Sequence, residues 1–93
     1  MKVTPFDAAD YLRTDEEIRE FLADALRNGT ASNYLHALNT AARAKGMRET
    51  AAKAAIGRES LYKSLSAKNP RFDTVVKATR ALGFNLEVVP AGR

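Results

Sequence analysis

Apolar residues recur along this chain at helical spacing, in short blocks separated by glycine, asparagine and proline. The first block is an apolar stripe at three- and four-residue intervals, formed by Ile18, Phe21, Leu22, Ala25 and Leu26. This spacing predicts an amphipathic helix. Thr14 and Glu17 fit a capping box at its start, and Asn28-Gly29 ends it. Residues 7–12 predict one or two further helical turns.

The blocks that follow predict four more helices. Residues 31–45 form a second apolar stripe, which ends at Gly46, and residues 47–55 are rich in alanine, a strong helix former. Ile56-Gly57 interrupts this pattern, and residues 59–66 then carry Leu61 and Leu65 on one face. After a loop at residues 67–70, Asp73 is expected to cap a last helix that runs to Leu82.

The C-terminal residues 84–89 alternate between apolar and polar side chains and include two valines, a pattern compatible with one short strand. A lone strand cannot satisfy its own backbone groups, so it needs a partner. Three partners stay open: the N-terminal arm around Val3, the same segment of a second subunit, or another protein. The predicted fold is therefore all-α, with this strand as its one exception.

Length and composition limit the function. A chain of 93 residues makes one domain, residues 1–93, and leaves no room for a second catalytic domain. Without cysteine there is no disulfide or thiolate metal site, and His36 alone does not make a metal site. We find no catalytic cluster or phosphate-binding glycine loop, so we expect no enzyme, cofactor or metal. The start has no secretory apolar region and no window is long enough for a membrane span, so we expect a cytoplasmic protein.

Charge is divided unevenly along the chain. The acidic N-terminal segment, residues 1–30, carries a net charge of −3, whereas residues 31–93 carry +7. Such a division indicates two different partners, and the basic part suits phosphates, because their neutralisation releases condensed counterions. The alternative is a solvated surface of uneven charge.

The stretch 47–66 has the pattern of a helix-turn-helix, in which the second helix enters the major groove of DNA. Ala51 and Ala55 provide small side chains where the two helices meet. If Leu61 and Leu65 face inward, helix geometry turns other side chains of this helix outward: Arg58, Glu59, Tyr62 and Lys63, with Ser60 and Ser64 at the margins. The predicted DNA-binding residues are Arg48, Gly57, Arg58, Glu59, Ser60, Tyr62, Lys63, Lys68 and Arg71.

Within this set the side chains suit different contacts. Arg58 can bind guanine through two hydrogen bonds and Glu59 can accept one from cytosine, while Lys63 suits a phosphate. Tyr62 offers a ring to a thymine methyl group or a hydroxyl to a phosphate. Two alternatives stay open: Glu59 as a solvated charge and Tyr62 as a residue at the rim of the core.

The chain resembles the addiction-module antidote proteins, HigA-like antitoxins with a lambda-repressor-like (XRE-type) helix-turn-helix. The segments that carry this resemblance are 11–18, 43–47, 58–65, 69–75 and 81–84. It implies a domain of five or six helices that is usually dimeric, a small basic RelE- or HigB-like toxin as partner, and repression of a shared promoter through operator DNA. Asp15, Glu16, Glu20 and Asp24 would then attract the cationic toxin.

Three positions depart from the family pattern. Ala55 stands where the turn usually has glycine, Gly57 replaces a serine or threonine cap, and Thr50 replaces a larger apolar residue. Loss of the side-chain cap to glycine costs only a few tenths of a kcal/mol. These departures weaken the motif without removing it.

Two other functions stay open beside the antitoxin. One is a stand-alone, phage-type repressor with no toxin. The other is a protein-interaction module without DNA binding, suggested by Ala55 and Gly57. For a dimer we expect the contact at residues 84–89, because an unpaired strand seeks a partner.

Overall fold

The computed structural model describes residues 7–91 of the chain. A short 3₁₀ helix, Ala8–Tyr11, precedes five α-helices: α1 (Asp15–Asn28), α2 (Ala31–Lys45), α3 (Met47–Ala54), α4 (Arg58–Ser66) and α5 (Phe72–Ala81). No strand occurs in this part of the chain. The predicted all-α fold is confirmed.

Two capping boxes fix the starts of the longest helices. The Thr14 hydroxyl accepts from the Glu17 amide at 3.1 Å, and the Glu17 carboxylate accepts from the amides of Thr14 and Arg13 at 3.1 and 2.8 Å. The backbone bonds from Arg13 and Thr14 lower the pKa of Glu17. Thr30 and Asn33 form a second box at α2, which the sequence analysis missed.

The core lies around α2, which packs against each of the other helices. Leu38 of α2, Leu61 of α4 and Leu82 after α5 are fully or almost fully buried. Burial of each such side chain contributes about 1.5–3 kcal/mol to folding. Because Leu61 is part of this centre, the orientation of α4 is set by the core.

Several local predictions are corrected. Leu26, which belongs to the predicted apolar stripe of α1, is 52% exposed, whereas Ile18 and Leu22 of the same stripe are buried. Asp73 does not cap α5: the cap is Arg71, and Asp73 lies inside the first turn, where it pairs with Lys77 at 3.5 Å. Of the two alanines predicted where α3 and α4 meet, Ala51 is buried in the core, whereas Ala55 is exposed.

The strand predicted at 84–89 does not form in the single chain. The Phe84 amide donates to the Thr79 carbonyl at 3.2 Å, and no backbone–backbone hydrogen bond follows up to residue 91. Phe84 and Leu86 pack against the core, whereas Val88 is 99% exposed. No second strand within residues 7–91 lies beside this segment, and the arm around Val3 lies outside the described residues.

Candidate nucleic-acid interface

A sharp turn separates α3 from α4. Ala55 adopts the left-handed conformation, with φ 59° and ψ 41°. The amides of Ala55 and Ile56 donate back to the carbonyls of Ala52 and Ala51, at 3.1 and 3.0 Å. These are the two hydrogen bonds of a Schellman motif, which usually has glycine at the left-handed position. Residues 47–66 are therefore two helices joined by a short turn, as the sequence predicts.

The exposed edge of α4 lies on the side of the helix away from its two buried leucines. Leu61 is fully buried and Leu65 is 3% exposed, so they fix which face of α4 points inward. The residues that lie outward are Arg58, Glu59, Ser60, Tyr62 and Lys63. Tyr62 is 52% exposed, which leaves its ring and hydroxyl accessible to a ligand.

A groove of about 490 Å³ runs along this edge. It brings together Arg58, Glu59, Tyr62 and Lys63 with Arg43 of α2 and Met47 of α3. Of the other predicted residues, Arg48 lies in the first turn of α3, Gly57 and Ser60 at the start of α4, and Lys68 and Arg71 in the loop after it. None of these five residues lines the groove, although Arg48, Gly57 and Ser60 are each next to a lining residue in the sequence.

Arg43 lines the groove and also contacts Asp7, a pair that the sequence analysis missed. Its guanidinium donates two hydrogen bonds to the Asp7 carboxylate, at 3.0 and 3.3 Å, across 36 residues of chain. The hydrogen bond from Arg43, together with one from the Ala9 amide, lowers the pKa of Asp7. No sequence signal links two residues so far apart, so only the fold reveals this pair.

Five predicted DNA-binding cations form no ion pair with any residue between 7 and 91: Arg48, Arg58, Lys63, Lys68 and Arg71. By contrast, Arg43 and Lys45 are held by Asp7 and Asp15. An exposed, unpaired guanidinium or ammonium group can bind an incoming phosphate without first losing an internal partner.

The helix starts at this surface also lack side-chain caps. Gly46 precedes α3 and Gly57 precedes α4, and neither offers a side chain to the first amides. Gly46 has φ +113°, a conformation that favours glycine. The first turns of α3 and α4 thus present backbone amides and the positive ends of two helix dipoles, a combination that suits an anion.

The predicted toxin-binding residues lie along the exposed side of α1, where each has an internal partner. Asp15 pairs with Lys45 at 2.8 Å, and Arg19 pairs with Glu16 and Glu20 at 3.2 and 2.9 Å. Asp24 accepts a hydrogen bond from Asn28 at 2.7 Å. The acidic surface is therefore partly neutralised within the chain.

Two other kinds of feature are absent from residues 7–91: a cluster of metal ligands and a membrane span. No group of three or more histidine or acidic side chains between residues 7 and 91 is arranged to hold a metal ion. None of the helices in the same range has both the length and the apolar character that a membrane span needs.

Comparison with known proteins gives the family. No solved structure is significantly similar to the chain. An uncharacterized protein of Haemophilus influenzae is 42% identical to it over 84 residues, which cover 89% of this chain and 87% of that protein. The family model described as "probable addiction module antidote protein" matches residues 2–90. This chain therefore belongs to the family of probable addiction module antidote proteins.

Proposed function

We propose that this protein is the antitoxin of a type II toxin-antitoxin module, of HigA-like type, that binds operator DNA through an XRE-type helix-turn-helix formed by α3 and α4. It represses its own promoter and neutralises a small basic RelE- or HigB-like toxin in the cytoplasm. The observation that carries the DNA-binding part is the exposed edge of α4, where Arg58, Tyr62 and Lys63 project from a helix fixed by buried Leu61.

The chemistry of this edge divides into base contacts and phosphate contacts. Arg58 begins α4, and the N-terminal residues of a recognition helix are those that reach base edges. Its guanidinium suits guanine O6 and N7 in the major groove. Lys63, Arg48, Lys68 and Arg71 are unpaired cations that suit phosphates, together with the open amides of α3 and α4.

The protein acts on its operator as a dimer. Two copies related by a two-fold axis present two α4 helices to successive major grooves, on the order of 34 Å apart. The operator is then an inverted repeat whose half-sites are separated by about one turn of DNA.

The toxin-binding part rests on the antidote family and on the acidic face of α1. Glu16, Glu20 and Asp24 follow one another at four-residue intervals along an exposed side of the helix. Their partners are solvent-exposed, and such surface pairs contribute only ~0–1 kcal/mol each. A cationic toxin can therefore replace Arg19 as the partner of Glu16 and Glu20 at little cost.

One experiment tests both parts. The chain is co-expressed with the adjacent reading frame, any complex is purified, and binding to the upstream DNA is followed by a mobility shift at increasing salt. We expect a stable complex, a sequence-preferring shift, and an affinity that falls steeply with salt. Absence of both the complex and the shift contradicts the proposal.

The same experiment separates the two alternatives. A shift without any toxin partner favours a stand-alone repressor. A complex without a shift favours an interaction module that has lost DNA binding. For variants of Arg58 or Lys63 in the same assay, the matched control is Lys53→Ala, which removes an exposed cation of α3 that has no role in the proposed function.

A further inference from the structure

A second groove, of about 530 Å³, lies between α1 and the C-terminal segment 84–89. Its walls are mainly apolar, and they include Leu22, Leu26, Leu86, Val88 and Val89. Three of these side chains are largely in solvent: Leu26 at 52%, Val89 at 67% and Val88 at 99% exposure. None of these residues has a part in the proposed DNA interface.

Segment 84–89 has the features of an edge strand without a partner. Its side chains alternate between inward and outward, with Phe84 and Leu86 against the core and Asn85 and Glu87 in solvent. The alternation assigns Val88 to the inward face, yet the core of its own chain ends at Leu86. The backbone from residue 85 to residue 89 makes no backbone–backbone hydrogen bond within the described residues. Such an edge is a template for pairing with another chain.

The groove is lined by one cation and one anion that are unpaired among the described residues. Arg27 and Glu87 both line it, and neither forms an ion pair with another residue between 7 and 91. A two-fold interface brings the same patch of both subunits together, so it needs an acid and a base that can pair across the axis. One unpaired residue of each sign at the same groove meets that need.

We infer that the occupant of this groove is a second copy of the chain. Segment 84–89 pairs antiparallel with the same segment of the partner subunit, which supplies the missing backbone hydrogen bonds and covers Val88 and Leu26. Glu87 of each copy then lies toward Arg27 of the other. This inference deepens the proposed function, because it gives the dimer its interface.

The test compares variants of the full chain by sedimentation equilibrium over a range of concentrations. Val88→Asp introduces a charge that the paired segments would bury, and we expect the dimer dissociation constant to rise at least roughly tenfold, which equals ~1.4 kcal/mol. Because Val88 is 99% exposed in the single chain, this substitution leaves the monomer folded, as circular dichroism will verify. Glu87→Arg sets like charges against Arg27 and weakens the dimer as well.

The matched control is Phe72→Asp, which changes a side chain that is 74% exposed at the start of α5 and leaves the dimer intact. A second measurement tests the contact between Arg27 and Glu87 by charge reversal. The double variant Arg27→Glu with Glu87→Arg restores a pair of opposite charges across the interface and recovers the dimer that Glu87→Arg alone weakens.

Three results would overturn the inference: a wild-type chain that stays monomeric, a dimer that Val88→Asp leaves unchanged, or a segment whose amides become protected only when a toxin binds. The outcome is separable from that of the proposed function. A dimer lost with Val88→Asp supports the interface even if the protein does not bind DNA, and DNA binding by a dimer insensitive to Val88→Asp removes only the interface.

Discussion

The hydroxyl groups of Tyr34 and Thr79 lie 2.9 Å apart in the core, where they join α2 to α5. Thr79 Oγ1 also donates its single proton to the carbonyl oxygen of Val75 at 3.0 Å. The Tyr34 hydroxyl must therefore donate to Thr79, which gives the pair one direction. Burial raises the pKa of Tyr34, in keeping with a phenol that stays protonated in order to donate.

Tyr34→Phe should lower the free energy of unfolding by about 1 kcal/mol at neutral pH, because it removes one hydrogen bond and leaves no donor unpaired. The proton of Tyr34 is held more tightly in the folded state. Its contribution to stability is therefore complete below pH 10.0, the usual pKa, and is lost as pH rises through the folded pKa. Urea unfolding at pH 7 and above pH 10 measures the difference, which should shrink in alkali.

Thr79→Val is the matched comparison for Tyr34→Phe. It should cost more, about 1–3 kcal/mol, because it removes the hydrogen bond to the Val75 carbonyl as well and leaves the Tyr34 hydroxyl buried without an acceptor. Equal losses from the two variants would contradict the direction of the bond.

Ala55→Gly should stabilise the protein. Ala55 has φ 59°, and a residue with a Cβ atom in the left-handed conformation costs roughly 1–2 kcal/mol compared with glycine. Part of this gain is lost because glycine is more flexible in the unfolded chain, so we expect a net gain of about 0.5–1 kcal/mol. Thermal and urea unfolding measure it.

The control for Ala55→Gly is Ala52→Gly, an exposed position inside α3 with ordinary helical geometry. There the same substitution should destabilise the protein by about 0.5–1 kcal/mol. Loss of stability at both positions would mean that Ala55 is not strained.

Glu17→Gln should reduce stability at neutral pH and have little effect in acid. The backbone bonds to Glu17 lower its pKa in the folded protein, so its contribution is present above pH 4.5, the usual value, and is lost as pH falls through the folded pKa. Thr14→Ala, which removes the hydroxyl half of the same capping box, should cost ~1 kcal/mol at neutral pH and keep most of that cost in acid, because the hydroxyl accepts from a backbone amide that does not titrate. Unfolding curves recorded from about pH 2 to about pH 7, the range in which carboxylates titrate, separate the effects of the two variants.

Local signals in the sequence account for much of the fold. The interval between Leu61 and Leu65 was enough to orient α4, and Thr14 with Glu17 located the start of α1, because these contacts span four residues or fewer. The Arg43–Asp7 pair spans 36 residues and depends on how α2 packs against the 3₁₀ helix, so no local pattern contains it.

The predictions that the structure corrects failed because they depend on contacts between distant parts of the chain. Leu26 belongs to the apolar stripe of α1 and is nevertheless exposed, and the alternation at 84–89 predicts a strand for which residues 7–91 offer no partner. Ala55 was expected at the helix contact on grounds of size alone, yet the turn required it to adopt a left-handed conformation. Sequence periodicity identifies a face, and only the packed chain decides what covers it.

Arg58→Ala and Lys63→Ala should affect DNA binding in different ways, although both remove an unpaired cation from the same helix. Loss of a two-bond contact to guanine should cost about 1–3 kcal/mol on the operator and little on unrelated DNA, so specificity falls. Loss of a phosphate contact should weaken binding to both DNAs alike.

Salt dependence makes this difference measurable. If Lys63 neutralises one phosphate per subunit, Lys63→Ala should reduce the slope of log K against log salt by about 0.9 per subunit, or ~2 for a dimer. Arg58→Ala should leave the slope nearly unchanged, because a base contact releases few counterions, and Lys53→Ala should alter neither slope nor specificity. A slope that falls equally for Arg58→Ala and Lys63→Ala would mean that Arg58 binds phosphate, and that the edge of α4 holds the backbone without reading the bases.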